Sequence, residues 1–172
     1  MKTVLEVITA TSEYFAKAKI ESPRLNIEHL LAHVLGMKRM GLYLQFDRQL
    51  TEAELAPLRA LVKRRAAAEP LQYLLGTAEF LSHTLKCDAR ALIPRPETEE
   101  LVEHIVLEGK AEGCPWKAGH IVDIGTGTGC IALALAAAFP DARVTAADVS
   151  ADAVALARDH ARAQISDPRR LT

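Results

Sequence analysis

Residues 120–150 read HIVDIGTGTGCIALALAAAFPDARVTAADVS. The apolar run at 121–124 is typical of a short buried strand, and the glycine-rich turn after it leads into an alanine- and leucine-rich segment long enough for a buried helix. A proline ends that helix, and residues 143–147 have the composition of a second strand, which stops at Asp148. The stretch therefore predicts half of a βαβ unit: a strand, a glycine loop, a helix and a second strand.

The glycine loop has the composition of a site for a nucleotide-like ligand. A sharp turn from strand to helix needs backbone angles that glycine adopts at low cost, and the missing Cβ atoms let a ligand lie against the backbone. A helix that begins near Thr128 points its free N–H groups toward such a ligand. Asp148 follows Gly129 by about 20 residues, a spacing that places its carboxylate to accept hydrogen bonds from both hydroxyls of a ribose.

Two cofactor classes use this geometry, and the glycine spacing distinguishes them. The dinucleotide pattern G-x-G-x-x-G/A requires a small residue where Cys130 stands, whereas residues 123–129 spell D-x-G-x-G-x-G. The second pattern resembles motif I of class I S-adenosyl-L-methionine-dependent methyltransferases. That cofactor has a ribose and a methionine carboxylate and amine but no pyrophosphate, and the loop has no phosphate-binding lysine. The alternative is a glycine loop in another doubly wound domain. The predicted cofactor-binding residues are Asp123, Gly125, Thr126, Gly127, Thr128, Gly129 and Asp148.

Composition limits the class of protein. The chain has 172 residues, of which 49% are hydrophobic and 25% charged, as expected for a soluble globular chain of one or two domains. A net charge of -1 gives no general attraction to nucleic acid or to an anionic membrane, and no apolar run is long enough to span a bilayer. Glu6 and Glu13 interrupt the N-terminal amphipathic stretch, which is therefore not expected to be a signal peptide.

Histidine and cysteine spacings do not predict a metal site. Cys87, Cys114 and Cys130 lack C-x-x-C spacing, which fits a reduced cytoplasmic protein without structural zinc. His29 and His33 are four residues apart, a spacing that can hold a metal ion. Because the glutamate of H-E-x-x-H and a nearby third ligand are both missing, we interpret them as an ordinary pair on one helix face.

Residues 1–75 have the pattern of a bundle of short helices. A second helix is expected to open at Ser22, with Pro23 in its first turn, and Thr51 with Glu54 forms a capping box before a third. Few polar groups converge on a pocket, so we interpret the bundle as a packed module that docks a partner. The apolar stripes are Leu5, Ile8, Ser12 and Phe15, then Ile27, Leu30, Leu31, Val34 and Leu35, then Leu55, Leu58, Leu61 and Val62.

Residues 76–93 change to alternating and β-branched residues, which predicts a β-hairpin that links two domains. The following PRPETEE holds Arg95 between two prolines and loads acidic residues onto the first turn of a helix. This charged segment is either simply a well-started helix or an element that closes over a bound ligand. The candidate active-site lid consists of Arg95, Pro96, Glu97 and Thr98.

These features together resemble one family. A helical N-terminal segment, a hairpin, LIPRPETE at 92–99 and VDIGTGTGCIALALA at 122–136 resemble the HemK/PrmC family, the protein-(glutamine N5) methyltransferases of peptide chain release factors. The resemblance covers about 25–162. The hairpin departs from the family pattern where an aromatic residue, a glycine and a proline are expected. Those positions hold Leu81, Ser82 and Ala89.

The resemblance implies an α/β chain, in which an N-terminal helical bundle precedes a partial class I (Rossmann-like) S-adenosyl-L-methionine-dependent methyltransferase domain at 94–172. It implies methyl transfer to the glutamine of the release factor GGQ motif, in translation termination. The family positions that amide nitrogen with an Asn-Pro-Pro-Tyr tetrapeptide after the fourth strand. No Asn-Pro occurs in this sequence, so no family catalytic residue is expected here.

The end of the sequence suggests a family member that is truncated at its C-terminus. One helix, from 151 to about 164, and the tail ISDPRRLT follow Asp148. The tail is polar and proline-broken where a third strand should begin, as an out-of-frame or artificial ending would be, and a two-stranded parallel sheet would leave apolar surface unpaired. Two hypotheses stay open: a release factor glutamine methyltransferase whose catalytic loop is lost or supplied elsewhere, and a non-catalytic fragment that only binds cofactor or release factor.

Overall fold

The computed structural model describes residues 2–111, 113–167 and 169–172, which form two compact units, Met1–Leu75 and Gly76–Thr172. Met1, Glu112 and Pro168, which fall within the predicted segments 1–75 and 94–172, lie outside the described residues. The first unit is helical and the second combines helices with a parallel sheet, as the predicted α/β fold class requires. Among the described residues, no helix combines the length and the apolar character that a membrane crossing needs.

The first unit consists of five helices and a minimal two-stranded sheet among its described residues. The two strands, β1 and β2, pair antiparallel, with Lys2 opposite Leu50. This short sheet was not predicted, because two-residue strands carry no alternating pattern. In chain order the elements are β1 (Lys2–Thr3), α1 (Val4–Lys17), α2 (Pro23–Val34), α3 (Arg39–Tyr43), β2 (Gln49–Leu50), α4 (Glu52–Ala66) and α5 (Leu71–Leu75).

The helical core follows the predicted stripes with one exception. Leu5 is 40% exposed, because α1 turns Val4 and Val7 inward together with Ile8 and Phe15. Successive residues on a helix lie about 100° apart, so a stripe assigned one residue late begins on the solvent side. The other stripes pack into one core that contains Ile27, Leu30, Leu31 and Leu58 as fully or nearly fully buried residues, with Val34, Leu35, Leu55, Leu61 and Val62 partly buried against it.

Local hydrogen bonds fix two helix starts in this unit. The N–H of Thr51 donates to Glu54 Oε2 at 2.8 Å, which confirms the predicted pairing at the start of α4. The N–H of Thr3 likewise donates to Glu6 Oε2 at 2.7 Å, a second capping box that the sequence analysis did not identify. The α2 helix opens at Ser22 with Pro23 as its first residue, as predicted, although Ser22 has a left-handed φ of 48° and its side chain makes no capping hydrogen bond.

A buried carboxylate joins α2 to α3. Glu28 is 2% exposed and accepts hydrogen bonds from Arg24 Nε at 2.9 Å, Arg39 Nη1 at 2.8 Å and Tyr43 Oη at 2.9 Å. Burial alone raises the pKa of this carboxyl group, but the three donors together outweigh burial and hold the pKa below its ordinary value. Few converging polar groups were expected in this unit. This cluster was not predicted, because an acidic residue inside a helix is usually exposed.

The described residues of the second unit form a hairpin, three longer helices and a parallel sheet. The hairpin strands pair antiparallel from Thr77 opposite Lys86 to Phe80 opposite His83, and Leu81 at the turn has a positive φ of 51°. Phe80 and Leu85 are completely buried in the core of this unit. The elements are β3 (Thr77–Phe80), β4 (His83–Lys86), α6 (Pro96–Gly109), a 3₁₀ turn (Pro115–Ala118), β5 (His120–Ile124), α7 (Cys130–Ala138), β6 (Arg143–Ala147) and α8 (Ala151–Gln164).

The strand, helix and strand predicted at 120–147 are confirmed. β5 and β6 are parallel and in register from His120 opposite Arg143 to Ile124 opposite Ala147. The α7 helix between them is buried over most of its length, as its alanine- and leucine-rich sequence requires. It begins at Cys130, two residues later than the predicted start near Thr128, because Gly129 with φ 80° forms its N-cap. Parallel pairing brings the carboxyl ends of both strands to the same edge.

The last residues of the tail lie beside β6, where a third strand was expected to begin. The N–H of Val144 donates to Arg170 O at 2.7 Å and the N–H of Thr172 donates to Val144 O at 3.1 Å, so the tail pairs in parallel with β6. Leu171 packs against the core, and the Arg170 guanidinium donates to the carbonyls of Ala136 and Phe139 at the end of α7. Among its described residues the tail therefore forms an isolated bridge to β6, which Leu171 and Arg170 hold in place.

Apolar side chains of the sheet remain exposed on the described part of this unit. Val122 and Ile124 of β5 are 53% and 84% exposed, and Val149 after β6 is completely exposed. Within the described residues β6 lies between β5 and the tail, and no segment pairs with the second edge of β5. This agrees with the predicted unpaired apolar surface, because doubly wound sheets are normally covered on both faces.

Candidate cofactor-binding site

The glycine loop lies at the carboxyl end of the parallel sheet. The N–H groups of Gly125 and Thr126 both donate to Ala147 O, at 2.8 Å and 3.0 Å, and so attach the loop to the last residue of β6. The N–H of Gly129 donates to Thr126 O at 2.8 Å and closes the turn before α7. Ligands of open α/β sheets bind at this end of the strands, so the loop occupies a favourable position for a cofactor.

The three loop glycines serve different purposes. A Cβ atom added to Gly125 or Gly127 would meet no other heavy atom within 4 Å, so both residues face open space. A Cβ atom on Gly129 would lie 2.8 Å from the Cβ of Ala157, so the third glycine allows α8 to pack closely. All three have positive φ, which disfavours any side chain there. The first two glycines therefore leave room for a ligand, and the third fits the loop against the protein.

Asp148 lies beside this open surface. Its Oδ2 accepts from the N–H of Gly127 at 2.8 Å, and its Oδ1 accepts from the N–H of Ser150 at 2.9 Å. The donor on Ser150 and then the donor on Gly127 hold the pKa of the Asp148 carboxyl below its ordinary value. A carboxylate offers about four acceptor positions, so Asp148 keeps acceptor capacity beyond these bonds. This arrangement suits a pair of neighbouring hydroxyl groups.

The other predicted residues of the site lie in the same loop and at the end of β5, and their side chains contact the protein itself. Thr126 Oγ1 donates to Asp123 Oδ2 at 2.6 Å and fixes that carboxylate at the end of β5. Thr126 and Thr128 are 5% and 3% exposed, so neither side chain is open to a ligand. The structure thus brings all the predicted cofactor-binding residues together, and their contact with a cofactor stays a prediction.

The candidate lid lies at the start of α6. Arg95 is the N-cap of this helix, Pro96 is its first residue, and the N–H of Thr98 donates to Arg95 O at 3.0 Å. Arg95, Pro96 and Glu97 are exposed, and Thr98 is half-buried. Over the residues that the structure describes, no hydrogen bond joins this segment to the glycine loop. Closure over a ligand stays a prediction.

His160 is a residue of the site that sequence reasoning missed. It lies on α8, is 5% exposed, and its Nδ1 is 2.8 Å from Thr128 O in the middle of the loop. The only sequence signal is its spacing, because it falls on the buried face of α8. The buried residues of that helix are Ala153, Leu156, Ala157 and His160.

Metal ligands do not cluster in the described part of the chain. No group of three or more His, Cys, Asp and Glu side chains there is arranged to hold an ion.

His29, one of the two histidines on α2, has a lowered pKa. Burial, and then the positive charge of Arg39, lowers this pKa, while Glu28 acts in the opposite direction.

Known protein families account for nearly the whole chain. The PrmC N-terminal domain matches residues 6–76, and the methyltransferase small domain matches residues 98–169. The release factor glutamine methyltransferase of Chlorobaculum tepidum is 48% identical over 162 residues, which cover 94% of this chain and 55% of the relative. The chain belongs to the HemK/PrmC family. The resemblance drawn from LIPRPETE and VDIGTGTG is therefore confirmed.

Other HemK/PrmC relatives show a similar extent of matching. The release factor glutamine methyltransferase of Geobacter sulfurreducens is 43% identical over 159 residues, 92% of this chain and 54% of the relative. That of Escherichia coli is 43% identical over 142 residues, 83% of this chain and 50% of the relative. The chain spans about half the length of the curated relatives that it matches.

Proposed function

We propose that this chain supplies the S-adenosyl-L-methionine site and a partner-binding helical unit of a release factor glutamine N5 methyltransferase. One observation carries the proposal: Gly125 and Gly127 face open space beside the Asp148 carboxylate, which accepts from the loop and from Ser150 and keeps acceptor capacity. The names of the relatives support the reaction and the protein substrate.

The residues present fit this cofactor. The remaining acceptor capacity of Asp148 suits the hydroxyls of a ribose, and the ionised carboxyl would repel the 2′-phosphate of a phosphorylated dinucleotide. Asp123, held by Thr126, is the proposed acceptor for the methionine amine. The N-terminus of α7 is the proposed donor to the methionine carboxylate, because N–H groups in the first turn of a helix lack partners within it.

The proposed roles of the two units follow from the chemistry of the glutamine side chain. S-adenosyl-L-methionine supplies an electrophilic methyl group when it is bound. The glutamine amide nitrogen is a weak nucleophile and must be held in line for attack, which other members of the family achieve with Asn-Pro-Pro-Tyr. This chain has no Asn-Pro, so its own residues are proposed to bind and orient the cofactor while Met1–Leu75 docks the release factor.

A second candidate function is a non-catalytic module that binds cofactor or release factor without transfer. The missing Asn-Pro and the exposed Val122 and Ile124 beside the unpaired edge of β5 favour this alternative for the chain by itself. Both candidates require the same cofactor site, and the difference between them is methyl transfer.

Replacement of Asp148 tests the cofactor site. Asp148→Ala removes both proposed acceptors for the ribose and the acceptor for the Gly127 N–H, so we expect the affinity for S-adenosyl-L-methionine to fall about 100-fold. Asp148→Asn keeps one acceptor oxygen and should give an intermediate loss. Isothermal titration calorimetry measures both. The control is Asp141→Ala, which removes an exposed carboxylate from the turn before β6 and should bind like the wild type. An unchanged affinity in Asp148→Ala would refute the assignment.

A further inference from the structure

The Thr128–Gly129 peptide group is bonded at both ends. Thr128 O accepts from His160 Nδ1 at 2.8 Å, and the N–H of Gly129 donates to Thr126 O at 2.8 Å. Because a peptide group is planar, bonds to its carbonyl and to its N–H together fix its orientation. Glycines stand on both sides of Thr128 and would otherwise give this part of the loop unusual conformational freedom. The bond from His160 therefore restricts the most adaptable part of the loop.

The hydrogen bond also defines the state of the imidazole ring. A carbonyl oxygen can only accept, so Nδ1 must carry the hydrogen and, in the neutral ring, Nε2 carries the lone pair. Nε2 is buried and has no hydrogen-bond partner among the described residues. Nδ1 is thus the nitrogen of this ring that makes a hydrogen bond in this part of the protein. The function of the side chain depends on one donor at the δ position.

The α8 helix supports the proposed cofactor site at three points. Ser150, its N-cap, donates its N–H to Asp148, and Ala157 packs against Gly129 so closely that no Cβ fits between them. His160 follows Ala157 by one helical turn on the same face and reaches Thr128 O. Gly125 and Gly127 face open space, whereas Thr128 and Gly129 contact α8. The helix therefore fixes both the loop and the carboxylate from the packed side.

We propose that His160 is a positioning residue for the cofactor, whose Nδ1–H holds the Thr128 carbonyl and thereby keeps the Gly127 N–H on Asp148. This inference rests on the proposed function of the glycine loop as the S-adenosyl-L-methionine site. It predicts that the donor at the δ position matters, rather than the volume or the aromatic character of the side chain.

Two substitutions separate this role from simple packing. Asn carries its Nδ2 donor on Cγ, as His carries Nδ1, so His160→Asn can keep the bond to Thr128 O. His160→Leu fills similar space without a donor and leaves a buried carbonyl unpaired. We expect His160→Leu to weaken S-adenosyl-L-methionine binding about tenfold and His160→Asn to remain within about threefold of the wild type, both by calorimetry. Equal losses in the two variants, or no loss in His160→Leu, would overturn the proposal.

Nuclear magnetic resonance reads the same contact without the cofactor. In the free wild-type chain, Nδ1 of His160 should show the ¹⁵N shift of a protonated nitrogen. Amide exchange at Gly127 and Gly129 should accelerate in His160→Leu and stay unchanged in His160→Asn. If His160→Leu does not fold, an unprotonated Nδ1 or accelerated exchange in His160→Asn overturns the proposal. A wild-type chain that shows the expected shifts and exchange but does not bind S-adenosyl-L-methionine would refute the proposed function instead.

Discussion

Methyl transfer to a release factor glutamine should be undetectable with this chain alone and should appear when the chain is joined to the C-terminal part of a full-length relative. Transfer needs the methyl donor and the amide nitrogen at attack distance in a site that excludes water, and such positioning can lower a barrier by about 7 to 11 kcal/mol. The chain contains no Asn-Pro to orient the amide, and the apolar residues of β5 are exposed. A loss of several orders of magnitude in rate is therefore expected.

The measurement uses radiolabelled S-adenosyl-L-methionine and an unmodified, purified release factor. A chimaera with the C-terminal part of the Chlorobaculum tepidum relative, which is 48% identical over the shared region, should label one glutamine. Its matched control is the same chimaera with the asparagine of Asn-Pro-Pro-Tyr changed to alanine, which should bind cofactor but leave the release factor unlabelled. Labelling by the short chain at a rate near that of the chimaera would show that the tetrapeptide is dispensable.

Gly129→Ala should both destabilise the second unit and abolish cofactor binding. A side chain at φ 80° is strained, and the added Cβ would meet the Cβ of Ala157 at 2.8 Å, so α8 or the loop must move. Left-handed strain and overpacking together cost about 2 to 5 kcal/mol in the free energy of unfolding. Displacement of α8 would also disturb Asp148, whose carboxylate bonds to the first residue before that helix.

Two further glycines provide matched controls for this substitution. Gly76→Ala has the same kind of positive φ with nothing within 4 Å, so it should show only the backbone strain, about 1 to 2 kcal/mol. Gly125→Ala should cost similar stability but obstruct the open face and weaken cofactor binding. Urea unfolding followed by the fluorescence of Trp116, the single tryptophan, reports on this unit. A Gly129→Ala variant no less stable than Gly76→Ala would contradict the packing role of Gly129.

Features that depend on residues close together along the chain were predicted from the sequence. β5, α7 and β6 follow from an apolar run, a glycine turn and a second apolar run, because period and turn chemistry are local properties. The capping box at Thr51 is equally local, since both partners lie within one helical turn. The spacing from Gly129 to Asp148 predicted that Asp148 lies beside the loop, because a short helix and a tight turn leave little freedom in where the second strand ends.

The features that were missed depend on partners distant in sequence. Arg39 and Tyr43 of the next helix donate hydrogen bonds to the buried Glu28. The sequence around Glu28 does not predict that these two donors reach it. His160 bonds to a carbonyl 32 residues away, so its role appears only when α8 packs on the loop. The tail pairs with β6 because Leu171 packs against the core and Arg170 donates hydrogen bonds to the end of α7. The polar composition of the tail does not predict these contacts.

The central proposal is that the loop at 125–129 and Asp148 bind S-adenosyl-L-methionine rather than a dinucleotide. The most direct measurement is calorimetric titration of the purified chain with S-adenosyl-L-methionine and, separately, with NADH. We expect one site for S-adenosyl-L-methionine and weaker or undetectable binding of NADH, because the glycine spacing departs from the dinucleotide pattern. Tighter binding of NADH, or no binding of S-adenosyl-L-methionine, would contradict it.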